Sequence, residues 1–199
     1  MSASQLVDAM DMTIRMDSRT YQRRRERFME LTKPPELIPG IEFEAMKVMR
    51  GAEFPVSERF NVINPHMNFE YVSDAFLGTF GHIAEIRPRP QLRVQAFDLP
   101  ERRAMMDEAV RADLYMDYLV DLGVVSDALT LGLQGREILK FDTLNVFYVP
   151  DDHKEVWAVI VRIPSDSGRI FVNAVKYSDP GPWQGPMRFF SRMPRPRSV

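Results

Sequence analysis

Residues Leu144–Tyr177 read LNVFYVPDDHKEVWAVIVRIPSDSGRIFVNAVKY, and this stretch decides the fold. Three β-branched and aromatic runs, Leu144–Val149, Glu155–Ile163 and Arg169–Tyr177, are separated by Pro150-Asp151-Asp152-His153 and Pro164-Ser165-Asp166-Ser167-Gly168. Both separators are rich in residues that favour tight turns, so the three runs predict an antiparallel meander. In the central run, Trp157, Val159, Val161 and Ile163 alternate with Val156, Ala158 and Ile160. Both faces of that strand are therefore apolar, and each needs a cover.

Upstream, Asp98 and Glu101 stand at capping-box spacing, Pro100 falls in a first turn, and Gly123 offers a left-handed stop. With Met105, Ala109, Ala112, Met116 and Leu119 as an apolar stripe, residues 99–122 read as one long helix of about 35 Å, which would pack on the meander. Gln91–Phe97 alternates as a strand, as do Ile41 and Phe43 over a shorter span, and Tyr71–Phe80 reads as a helix capped by Asn68 or Ser73. Residues 1–33 read as two helical pieces that end at Lys33-Pro34-Pro35. From Ser178 onward, prolines 180, 182, 186, 194 and 196 among Trp183, Phe189 and Phe190 predict an extended arm. The expected fold is thus α+β: a basic helical arm over 1–33, one domain over 34–177, and an extended arm over 178–199.

Hydrophobic residues make up 45% of the 199 and charged residues 27%, enough apolar surface for a core without staples. The chain has no cysteine, which excludes thiolate nucleophiles, Cys-ligated zinc and dithiol redox chemistry. The first ten residues lack an apolar signal-peptide run, and no apolar stretch approaches the ~20 residues of a bilayer helix. Virion or cytoplasm is the expected location. Charge is divided along the chain: six arginines against Asp17 and Glu26 leave residues 15–27 at +4, four arginines leave 188–199 at +4, and 28–187 carry −8.

Few patterns suggest chemistry. His66 and His82 have no acidic sequence neighbour, and Asp151-Asp152-His153 is explained by a solvated hairpin tip better than by a metal or base. Gly78-Thr79-Phe80-Gly81 and Gly132-Leu133-Gln134-Gly135-Arg136 could offer backbone N–H groups to an anion, but neither continues into a phosphate-binding motif, and turn formation suffices. The methionines are accounted for by core filling. No catalytic residue, metal ligand or cofactor is expected.

The candidate functional residues are those of the two basic ends: Arg23, Arg24 and Arg27, with Trp183, Phe189, Phe190 and Arg192, as partner contacts. The expected class is a non-enzymatic structural subunit of a large assembly, most concretely a bacteriophage tail or head-to-tail connector component, meeting copies of itself or other subunits. The alternatives are a nucleic-acid accessory protein, disfavoured by the acidic body, and a cystatin-like binding module or enzyme. On this reading a chain ending at Tyr177 stays folded and loses assembly.

Overall fold

The computed structural model describes residues 37–44, 55–83, 92–101, 103–105, 107–114, 118–176 and 183–193. All belong to the unit Pro35–Val199. The two N-terminal helical pieces, with Arg23, Arg24 and Arg27, lie outside the described residues.

The described strands are β1 (Ile38–Glu44), β2 (Phe69–Val72), β3 (Arg93–Leu99), β4 (Ala104–Met105), β5 (Leu144–Pro150), β6 (Val156–Arg162), β7 (Ile170–Lys176), β8 (Trp183–Gln184) and β9 (Met187–Arg192). Seven form one mixed sheet in the order β1-β3-β9-β5-β6-β7-β2, and β4 pairs with β8 in a second, two-stranded sheet. Among the described residues four short helices accompany them: α1 (Val56–Arg59), α2 (Asp74–Phe80), α3 (Asp107–Asp113) and α4 (Leu122–Leu133).

Strands β5, β6 and β7 are antiparallel neighbours in the stretch Leu144–Tyr177, with Phe147 opposite Val159 and Val161 opposite Val172. Around them the architecture differs from the expected one. No long helix spans 99–122. Asp98 and Leu99 end β3, Met105 sits in β4, and helix resumes only over α3. Leu119 and Val120 run extended beside β5, where the Val120 N–H donates to the Tyr148 carbonyl. Gly123 lies inside α4, whose cap is Asp121: its carboxylate accepts the Val124 N–H at 3.1 Å. Met105, Ala109 and Leu119 of the stripe do share one core, but from strand, helix and loop in turn, and Ala112 is exposed.

The second correction concerns the C-terminal segment. It is not an extended arm: β9 is a central strand, antiparallel to β3 along Val94–Leu99 and parallel to β5 along Leu144–Phe147. Its two phenylalanines point to opposite faces, as the period of two requires. Phe190 stacks on Phe147 at 4.2 Å between centroids and meets Phe43 edge-on. Phe189 lies opposite, with Tyr148 and Trp183. Each face thus has its own core. One gathers Val94, Phe147, Val159, Val161, Val172 and Phe190 beneath α1, α2 and α4. The other gathers Phe97, Leu99, Val146, Tyr148, Met187 and Phe189 beneath α3, β4 and β8. The two covers that the meander demands are therefore supplied by the chain itself. The backbone at Gly185 passes so close to the Pro100 carbonyl that a Cβ has no room there.

No helix among the described residues is long and apolar enough to cross a membrane. Because β9 joins the two halves of the sheet, removing it should unfold the protein rather than free it from partners. Phe190→Ala is expected to cost about 3–5 kcal/mol in urea unfolding, and a chain ending at Tyr177 should show no cooperative transition. A truncated chain that melts cooperatively would contradict this.

Candidate functional site

The sharpest charge arrangement starts at β9. Arg188 is buried, and its Nε and Nη2 donate to the two carboxylate oxygens of Asp98 on β3, at 2.8 and 3.1 Å. Its Nη1 donates to the Glu137 and Ile138 carbonyls at 2.8 and 2.9 Å. Lys140 Nζ reaches the same Asp98 at 2.8 Å. The lysine is held there by Asn145, a fully buried side chain that accepts the Lys140 N–H and donates to the Lys140 and Val161 carbonyls. Burial works against ionisation of Asp98, but the hydrogen bonds and charges of Arg188 and Lys140 hold its carboxyl below the ordinary carboxylate range.

Above this cluster opens a cavity of about 570 Å³ lined by Gly132, Leu133, Leu139, Lys140, Phe141 and Arg188, together with Gly135, Arg136, Glu137 and Gly168. The Gly132–Arg136 loop is not an anion cradle. Its Gln134, Gly135 and Arg136 N–H groups donate to Thr130, Gly132 and Leu131 carbonyls and close the end of α4, with Gly135 in the left-handed region at φ 83°. The other two-glycine candidate is likewise structural: Gly78 lies within α2, and Gly81 closes it on the Leu77 carbonyl.

The expected contact residues of the C-terminal segment are spread over the core. Trp183 Nε1 donates to Asp107 at 2.6 Å. That buried carboxylate also accepts the Tyr148 hydroxyl, with which it makes a short hydrogen bond, and Arg111 Nε at 3.1 Å. Burial, then the hydrogen bond to Asp107 and its negative charge, push the Tyr148 hydroxyl far up, so it remains a donor. The network fastens α3 and β8 to the large sheet. Phe189 and Phe190 are fully buried on opposite faces, and Arg192 is buried 3.8 Å from Asp121 at the start of α4. These four residues share no surface patch.

Folding does assemble one histidine cluster: His82 Nε2 lies 3.0 Å from Asp152, and His153 lies 3.7 Å from it. All three are exposed or half-exposed at the surface. Asp151 beside them shapes the turn, accepting the Glu155 N–H and the Trp157 indole N–H. Among the described residues no group of three or more acidic or histidine side chains has metal-holding geometry. His66 is an exposed loop residue.

The most conspicuous surface feature is the loop Asn61-Val62-Ile63-Asn64. Asn61 Nδ2 donates to the Ser57 carbonyl and its Oδ1 accepts the Ile63 N–H; Asn64 Nδ2 donates to the Arg59 carbonyl and its Oδ1 accepts the His66 N–H. The Asn64 and Met67 N–H groups close further turns on Asn61 and Asn64. Arg59 in turn is pinned on α4 through Ser126 and Thr130. This loop holds two aliphatic side chains in water: Val62 is 54% exposed and Ile63 81%. It was missed in the sequence, although two asparagines bracketing an apolar pair before a proline is itself a turn signature.

The chain matches no protein-family model, no curated protein and no solved structure.

Because the folded pKa of Asp98 is depressed, its stabilisation is fully present above the unfolded carboxylate value near 3.9 and is lost as pH falls through the lower folded value. Asp98→Asn is expected to cost about 3–5 kcal/mol at pH 7 by stranding Arg188. It should also flatten the fall of stability below about pH 4. An unchanged acid limb in chemical unfolding would contradict this account of the pair.

Proposed function

We propose that the protein is a non-enzymatic subunit of a protein assembly and that it meets neighbouring copies of itself through the Asn61–Asn64 knuckle. The observation that carries the reading is the exposure of Ile63 on a loop locked by six hydrogen bonds. Burying an isoleucine is worth roughly 1.5–3 kcal/mol. A loop already ordered in the free protein loses little entropy on docking, so more of that gain appears as affinity. The charge division of the sequence supports the same reading, since +4 over residues 15–27 against −8 over 28–187 favours head-to-tail contact between copies. A virion tail or connector component is one form such a subunit takes.

Sedimentation velocity across a concentration series tests this. The unaltered protein should associate as concentration rises, and Ile63→Asp should shift it to monomer with its melting temperature nearly unchanged, since a surface substitution of this kind perturbs stability by only about 0.5 kcal/mol. A protein that stays monomeric throughout, or an Ile63→Asp variant that associates as before, would overturn the proposal.

A further inference from the structure

The cavity above Arg188 has a composition that selects a ligand, and the argument is independent of the knuckle. One lining residue is Arg188, whose Nε, Nη1 and Nη2 donors are aimed at Asp98 and at the Glu137 and Ile138 carbonyls. Buried and engaged through those donors, Arg188 contributes positive charge beside the cavity. The walls suit a ring: Leu133, Leu139 and Phe141 are apolar, and Gly132 adds no side chain. Leu133 and Phe141 are 42% and 44% exposed at the rim, where an apolar occupant would cover them.

Charge narrows the class further. Asp98 carries one negative charge against the two positive charges of Arg188 and Lys140. With Arg136 and Glu137, which also line the cavity, the five side chains leave one net positive charge. Lys140, 42% exposed on its side chain, is within reach of an entering group, beside the exposed Arg136. A phosphate dianion is a poor fit, because the loop amides are consumed in closing α4 and that helix end carries negative partial charge. A carboxylate monoanion matches the single excess charge. The volume of about 570 Å³ falls within the range of small-ligand sites.

We propose that this cavity binds an aromatic group with a carboxylate close to it, the ring against Leu133, Leu139 and Phe141 and the carboxylate on Lys140. Such a group is presented either by a free aromatic acid or by a chain that ends in an aromatic residue. Isothermal titration calorimetry with 2-naphthoate, and in a second arm with a pentapeptide ending in phenylalanine with a free carboxylate, distinguishes the two sources. Binding of naphthoate alone identifies a free acid; stronger binding of the peptide, abolished in its C-terminal amide, identifies a chain end.

For whichever ligand binds, Lys140→Met should weaken affinity at least about tenfold, while Lys140→Arg should keep it within about threefold. 2-Naphthol, which lacks the carboxylate, should bind at least about tenfold more weakly than 2-naphthoate. Asp98 keeps Arg188 in Lys140→Met, and a thermal melt checks that this variant is folded. Phe141→Ala, at the rim, should independently weaken binding. Absence of binding by both ligands at about 5 mM, or affinities indifferent to Lys140→Met and to loss of the carboxylate, would overturn the proposal.

Discussion

The seating of β9 between β3 and β5 is the constraint on which the rest depends. A strand from the last part of the chain joins two blocks, β1–β3 and β5–β6–β7–β2, that among the described residues have no other sheet pairing between them. It binds one block with antiparallel and the other with parallel hydrogen bonds, and each of its faces nucleates a separate core through Phe189 and Phe190. Such pairings between distant segments must meet the loop-closure cost before they gain contacts, so the sheet cannot be completed until the C-terminal residues arrive.

The same strand places the chemistry. Arg188 is a β9 residue, and its pairing with Asp98 ties β9 to β3 while its bonds to the Glu137 and Ile138 carbonyls tie it to the loop after α4. The cavity therefore exists only in the completed sheet. Ligand binding there and the integrity of β9 should be linked, because whatever binds only the native state stabilises it. The knuckle is different in kind. It is set by local asparagine bonds and by the anchoring of Arg59 on α4, on the same covered face as the cavity, but its exposed side chains can be changed with little effect on the core.

What was legible in the sequence follows from these physics. Strands β5, β6 and β7 stood out because turn-rich segments bound β-branched runs on both sides. Strand β9 did not, because a central strand buried on both faces shows no polar alternation, and Phe189-Phe190 beside Pro186 and Pro194 looks irregular until its neighbours are known. The false helix over 99–122 arose from apolar spacing alone. Asp121, the true cap of α4, was overshadowed by Gly123, which is tolerated within the helix. Asp98 was read as a cap when its carboxylate is matched to Arg188, ninety residues away. A long-range ion pair of this kind leaves no periodicity for a local reading to find. The charges of the terminal segments were visible, but not that Arg188, Phe189, Phe190 and Arg192 turn inward.

Native-state hydrogen exchange of the β9 amides tests the central claim most directly. If β9 joins the two halves of the sheet, the protected amides of Phe189 and Phe190 should exchange only through global unfolding, with the same free energy as those of β5 and β6. Exchange of β9 at markedly lower free energy, while β5 and β6 stay protected, would show a sheet that stands without its last strand and would contradict the account.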